Sequence, residues 1–255
     1  MSSRSGEVKA NTLNSYKLAL KDLSDTFKDK ELKTLNKGHR QKLINHLKDR
    51  LDPTTCNIRI RGIKVFFNWL LNETDFIARM PFNLKEIKDI DTTQRFIAPS
   101  EFDQILRQTL EVKRDESIYP NEFFHSLWQL YIRTGMRLSE VYEAEIKDDF
   151  LHIKGKRDKT RIVPMQYDVE KLLIDVKPYL DTLWHSTISR HFTKICKSLN
   201  LDYTLHHLRH TFACEMLAKH DGNIWKVSEL LGHSNLSTTQ RYLKSFPLEY
   251  LKSVF

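Results

Sequence analysis

Three histidines and an arginine fall within five positions of the segment LHHLRHTFA (205–213). On a helix His206 and His210 stand four apart and share a face, as two zinc ligands would. His206 and Arg209 stand three apart and also share a face, which suits a site built to hold a phosphate. A third reading is an amphipathic helix that happens to be rich in histidine.

Three other segments carry residue types of the same kind. In RTGMRLSE (133–140) Gly135 permits a tight turn and sets Arg137 at the start of the next helix. There the guanidinium and the helix N-terminus both favour an anion. GKRDKTR (155–161) holds four cations in seven residues and reads as a hairpin turn projecting positive charge at its tip. In LLGHSNLSTTQRYLK (230–244) Gly232 ends a helix, His233 follows it, and Tyr242 lies nine residues later in another short helix. Each has a plainer reading on its own. Arg137 could pair with Glu140 on the surface, the hairpin lysines could be solvated, His233 could cap carbonyls, and Tyr242 could be a core aromatic.

The elements that must position these residues follow from apolar spacing. Leu13, Tyr16, Leu20, Leu23 and Phe27 mark a first helix; Leu43, Leu47 and Leu51 mark a second. A third begins after Pro53, runs through about 20 residues, and turns Ile60, Ile63, Phe67 and Leu70 inward. Its other positions carry Arg59, Arg61, Lys64 and Asn68, a face that could enter a major groove or be merely solvated. The polar segment 91–97 reads as a linker between a helical domain, 1–90, and a second domain, 98–255. In the second, Ser100 reads as an N-cap, with Glu101 in the first turn. An apolar helix then runs from about Phe123 to Tyr131 and stops at Gly135. Residues 149–165 form two short β-rich runs around a polar turn, and the chain is helical again from about 167. The fold class is therefore mainly α with a small β-hairpin or sheet.

Charge is uneven along the 255 residues. Of the net +8, residues 1–90 hold 18 Lys and Arg against 11 Asp and Glu, and residues 91–255 hold 23 against 22. A surplus confined to one third of the chain points to a polyanion such as nucleic acid. No apolar run approaches the ~20 residues needed to span a bilayer, and the opening MSSRSGEVKA shows no apolar leader. Cys56, Cys196 and Cys214 are far apart, with no CxxC pair, as expected for a reducing cytosol without a structural zinc or disulfide framework.

Taken in order, TGMRLSE, GKRDKTRIVP, HHLRHTFA and LLGHSNLSTTQRY resemble the signatures of the tyrosine recombinase (phage integrase) family, and the resemblance spans nearly all of 98–255. Residues 1–90 are similar, less specifically, to that family's core-binding domain. The resemblance implies that Arg137 and Arg209 grip the scissile phosphate. It implies that Lys156 is the mobile catalytic lysine, with Lys154 and Lys159 as close rivals because Arg157 stands where glycine is common. His206 matches the histidine of HxxR, His233 that of LLGH, and Tyr242 the nucleophile, while Glu140 and His210 match supporting positions. Arg59, Arg61, Lys64, Lys154, Arg157 and Lys159 are the expected DNA contacts. The resemblance also implies a homotetramer on duplex DNA and a tail, SFPLEYLKSVF (245–255), docking on a neighbouring subunit.

The chemistry suits these residues. Two arginines hold the equatorial phosphate oxygens and stay charged at any working pH. Neighbouring cations are expected to lower the tyrosine pKa from about 10. Lys156 is placed to protonate the leaving 5′-oxygen. His206 either takes the tyrosine proton or holds a phosphate oxygen. No metal or cofactor is expected, since arginines supply the charge of a metal ion. Two other readings of the same residues are a type IB topoisomerase-like enzyme and a DNA-binding regulator that does not cut. A zinc protein built on His206, His207 and His210 lacks an HExxH glutamate or a nearby cysteine. An accessory activator protein and a cytoplasmic, nucleoid-associated setting complete the expectations.

Overall fold

The computed structural model describes residues 10–28, 30–87, 95–112, 119–155, 160–164 and 168–244. The chain divides into two compact units, Met1–Asp91 and Thr92–Phe255.

The first unit is built on α1 (Ala10–Thr26), α2 (Arg40–Lys48) and α3 (Pro53–Glu73). Pro53 opens α3 because its missing N–H falls where no intrahelical partner exists. Asp52 caps the same end, accepting from the backbone N–H groups of Thr54 and Thr55 at 3.0 Å. Ile60, Ile63, Phe67 and Leu70 of α3 are buried as their spacing predicts, against Ala19, Leu23 and Phe27 of α1 and Leu43 and Leu47 of α2. Leu13, expected on the apolar stripe of α1, is instead 47% exposed. Buried Asn57 pins the end of the unit: its side chain donates to the Ile87 carbonyl at 3.1 Å and accepts from the Ile87 N–H at 2.7 Å.

The cations expected to face DNA from α3 separate in the structure. Arg61 is exposed, 3.5 Å from Glu86, and Lys64 is half-buried. Arg59 turns inward: its Nε lies 2.9 Å from Oδ2 of buried Asp22, a charge contact without an aligned hydrogen bond. Arg50 approaches the other oxygen of Asp22 at 3.2 Å. Arg59 therefore belongs to the interior of the unit and not to the outward basic face expected from the sequence, because a buried carboxylate must find a cation.

The second unit contains α4 (Pro99–Glu111), α5 (Asn121–Thr134), a 3-10 segment (Leu138–Glu143), β1 (Glu145–Lys147), β2 (Phe150–Lys154) and β3 (Thr160–Pro164). It continues with α6 (Val169–Leu180), α7 (His185–Ser198), α8 (Leu205–Lys219), α9 (Ile224–Leu231) and α10 (Leu236–Lys244). The strands form one antiparallel sheet in the order β1-β2-β3, with Ile153 opposite Arg161 and Leu151 opposite Val163. The chain is thus mainly helical with a small sheet. α4 begins two residues earlier than Ser100 implied: Ala98 is the N-cap, and Glu101 reaches back to accept from its N–H at 2.9 Å. Residues 95–97, read as the end of a linker, are tied into this unit. Ile97 is buried and its N–H donates to Thr211 Oγ1 at 2.8 Å, while Arg95 pairs with Asp202.

The main core gathers Phe123, Phe124, Trp128 and Tyr131 of α5 with Phe192 of α7 and the inward face of the sheet. A second, smaller cluster holds Phe212, Met216 and Leu217 of α8, Val227 and Leu231 of α9, and Tyr242 of α10. α8 lies between the two and is buried nearly all round, from Leu205 through Leu217. It is therefore not the amphipathic helix that was one reading of LHHLRHTFA.

One prediction concerns the first unit. Asp22→Ala strands the half-buried Arg59 charge and should lower the unfolding free energy by about 3 kcal/mol. The change should appear as a lower urea midpoint with an unchanged slope.

Candidate active site

The turn after α5 sets the first residue of the site. Gly135 closes α5 in a left-handed conformation, φ 59°, and a Cβ there would lie 2.3 Å from the Phe212 ring, so only glycine fits. Two residues on, Arg137 is the N-cap of the 3-10 segment, its N–H donating to Glu140 Oε2 and its guanidinium to Glu140 Oε1, both at 2.7 Å. The pairing read from RTGMRLSE exists, but Glu140 is only 2% exposed. It is a buried anion and not half of a surface pair.

Glu140 collects two more arginines. Arg161 of β3 donates to Oε2 at 2.7 Å, and Arg209 of α8 approaches the same oxygen at 3.8 Å. Burial pushes the Glu140 carboxyl up, but the hydrogen bonds and charges of Arg161 and Arg137 outweigh it and bring the pKa down to about 2. Arg209 is itself buried, donating to the backbone carbonyls of Gly135 and Leu231, both at 2.5 Å. Burial, then the charges of Arg137 and Arg161, draw its pKa down to about 9, which leaves it charged at neutral pH.

His233 follows Gly232, which ends α9 with φ 62°. Arg209 lies 3.1 Å from its Nε2, and Thr239 Oγ1 lies 2.8 Å from its Nδ1. An arginine only donates, so Nε2 is the acceptor and Nδ1–H faces Thr239. Burial and then Arg209, Arg137 and Arg161 lower the His233 pKa to about 3, so the neutral form is favoured. In this arrangement His233 Nε2 accepts from Arg209.

Tyr242 is 3% exposed and packs in the smaller core cluster, with its hydroxyl 3.2 Å from His210 Nδ1. Burial raises its pKa more than Arg209 lowers it, contrary to the expected depression by nearby cations. Burial wins because the ring lies within the apolar cluster of α8, α9 and α10, shut off from water. His210 is buried too, and burial followed by His206 and His207 brings its pKa down to about 3. His206 is exposed, with its ring 4.6 Å edge-on to that of His210. Although part of the ring meets solvent, partial desolvation against its neighbours, followed by the charge of Arg209, lowers its pKa. His207 does something else: its Nδ1 accepts from the Thr204 N–H at 2.9 Å and caps α8.

Two recesses meet at Arg137. One of about 410 Å³ is lined by Arg137, His206 and Arg209; the other, about 920 Å³, by Arg137, Arg161, Lys226 and His233. The structure therefore brings Arg137, Glu140, His206, Arg209, His210, His233 and Tyr242 into one cluster. Lys154 is half-exposed on β2, 3.9 Å from Glu143. Lys156, Arg157 and Lys159 lie outside the described residues, as does the tail 245–255. Sequence reasoning missed Arg161, Thr239 and Lys226. Arg161 was counted among the cations of an exposed hairpin tip, yet it stands on the inward face of β3; only the alternation of Arg161 and Val163 hinted at that. Among the described residues no three His, Cys, Asp or Glu side chains form a group able to hold a metal ion.

Residues 95–249 match the family model described as the phage integrase family. The chain belongs to that family, the tyrosine-type site-specific recombinases. A tyrosine recombinase of Pseudothermotoga lettingae is 31% identical over 249 residues, covering 84% of this chain and 80% of the relative. Two solved structures share the fold. The XerH site-specific recombinase bound to palindromic difH substrate, a post-cleavage complex, superposes with a TM-score of 0.74 at 19% identity, over 94% of this chain and 78% of that one. A lambda integrase tetramer bound to a Holliday junction gives a TM-score of 0.71 at 18% identity, over 89% and 73%. The stretch matched by the phage integrase family model contains all the residues of the cluster just described.

The buried histidines set a pH prediction. His210 and His233 have folded pKa values near 3, below the ordinary 6.5, so the unfolded chain binds more protons between these limits. Stability should be full above about pH 6.5 and fall as pH drops toward 3, by up to ~1.4 kcal/mol per pH unit for each histidine. His210→Gln/His233→Gln should flatten the unfolding free energy between pH 6.5 and 4, measured by urea denaturation at a series of pH values.

Proposed function

We propose that this recombinase cuts and rejoins duplex DNA through Tyr242, within a homotetramer that exchanges strands through a Holliday junction. The observation that carries the reading is the convergence of Arg137, Arg209, His206 and His233 on two recesses that share Arg137, with the Tyr242 hydroxyl buried beside them against His210. The tetramer is supported by the lambda integrase tetramer bound to a Holliday junction, whose fold this chain shares.

In the proposed step the Tyr242 oxygen attacks the scissile phosphorus in line, forming a 3′-phosphotyrosyl bond as the bond to the 5′-oxygen breaks. Arg137 and Arg209 hold the non-bridging oxygens, where negative charge grows, with donors already in place before reaction. The Tyr242 proton passes to His210, the group its hydroxyl meets at 3.2 Å, once the Nδ1 lone pair faces it. A phosphate in the cleft raises the basicity of both His210 and His233, because its charge offsets that of the arginines. His233 then gains a proton on Nε2 and turns from acceptor to donor. His206, exposed beside Arg209, holds a phosphate oxygen. Lys156 protonates the leaving 5′-oxygen. Attack of a 5′-hydroxyl from a second duplex reverses the step and completes the exchange, with no change in the number of phosphodiester bonds.

Tyr242 must leave its apolar packing to reach a phosphate. Docking of the tail 245–255, which directly follows α10, on a neighbouring subunit would bias that movement, and an accessory protein could act on the same helix. The helical unit at 1–90 is assigned to core-site DNA, with Arg61 and Lys64 as its contacts, and Lys154, Arg157, Lys159 and Lys226 are assigned to the backbone near the cut. Dimer resolution or mobile-element integration and excision are the biological outcomes this chemistry serves. A cytoplasmic, nucleoid-associated setting goes with them. Among the described residues no helix is long and apolar enough to cross a membrane.

A suicide duplex drawn from DNA flanking the gene tests the reading. Wild-type protein should form a covalent adduct, and Tyr242→Phe should bind the duplex but form none. Arg137→Ala or Arg209→Ala should slow adduct formation on the order of 10²–10³-fold. An adduct that persists in Tyr242→Phe overturns the proposal.

A further inference from the structure

Arg161 has no place in the chemistry described so far. It stands on the inward face of β3, beside Val163 and opposite Ile153, and is only 8% exposed. A charge on the apolar face of a strand is costly unless something there needs it. Two contacts show what that is. Its NH2 donates to Glu140 Oε2 at 2.7 Å, the oxygen that also accepts the Arg137 N–H. Its aliphatic stem underlies Gly232, where a Cβ would come within 3.0 Å of Arg161 Cδ, so it supports the turn that presents His233.

We infer that Arg161 is a positioning residue for phosphoryl transfer: it holds Glu140 in place, so that Glu140 fixes Arg137 and lies against Arg209, and it sets the height of the Gly232–His233 turn. The inference rests on the recombinase reading and adds a residue to it. Glu140 faces charged or titratable groups from four elements: Arg137 on the 3-10 segment, Arg161 on β3, Arg209 on α8 and Tyr131 on α5. Removing Arg161 takes away the partner that does most to hold the carboxyl ionised. Protonated Glu140 then loses its hold on Arg137. The arginine that sequence places on a solvent-facing tip thereby links the hairpin to both phosphate-binding arginines.

The test uses the full chain and the same suicide duplex, under single-turnover conditions with protein in excess. Arg161→Met should retain duplex affinity yet form the Tyr242 adduct on the order of 10²-fold more slowly, as expected for misplaced phosphate ligands. The acid limb of the rate profile should move to higher pH, because Glu140 protonates more readily. Glu140→Gln/Arg161→Met should be no slower than Arg161→Met alone, since both lesions break one linkage. Arg161→Lys keeps the charge and most of the stem, so it should fold even if the methionine variant does not, and it should recover much of the rate and the acid limb. A wild-type protein that forms no adduct would count against the recombinase reading itself. A wild-type adduct with an undiminished rate in Arg161→Met, an unmoved acid limb, or losses that multiply in the double variant would overturn the role of Arg161 alone.

Discussion

One buried carboxylate organises the active site. Glu140 takes hydrogen bonds from Arg137 and Arg161 and lies 3.8 Å from Arg209, and without it three guanidinium groups would face one another in a poorly hydrated space. Coulomb repulsion at such distances is strong when water is scarce. The single anion makes the cluster tolerable and leaves it with an excess of positive charge, which is what a phosphodiester requires. The cost of arranging the donors is met when the protein folds, before any DNA arrives.

The surrounding elements follow from that requirement. Glycine at 135 lets the backbone turn sharply enough to present both Arg137 and a carbonyl for Arg209, and glycine at 232 leaves room for the Arg161 stem beneath His233. α8 carries Arg209 and His210 through the centre of the unit, where its backbone is held rigid by cores on both sides. The proposed nucleophile is placed differently: Tyr242 is buried in the smaller core cluster with a raised pKa, so the proposed step requires the tyrosine to move toward arginines that are already in place.

The sequence revealed the framework well where chemistry and spacing coincide: α3 after Pro53, the antiparallel pairing of β2 with β3, and the helix stops at Gly135 and Gly232 all appear in the structure. It misled where a charged residue is buried. Arg59 and Arg161 looked like members of outward basic faces, because local composition cannot show that Asp22 and Glu140 wait inside for them. The three histidines of LHHLRHTFA became distinguishable only through long-range contacts: His210 meets Tyr242 thirty-two residues away, while His207 merely caps its own helix. The raised tyrosine pKa is hidden for the same reason, since proximity to cations is legible in the motif but burial of Tyr242 in the smaller core is not.

The central claim is that Glu140 stays ionised inside this arginine cluster. Carbon-13 NMR of the glutamate carboxyl groups, with the Glu140 signal assigned by its loss in Glu140→Gln, measures that directly. In protein that is still folded, a Glu140 resonance that keeps its ionised position at pH 4.5, where an ordinary glutamate is half protonated, is the result this arrangement predicts. A midpoint at or above 4.5, the ordinary value for glutamate, would contradict it.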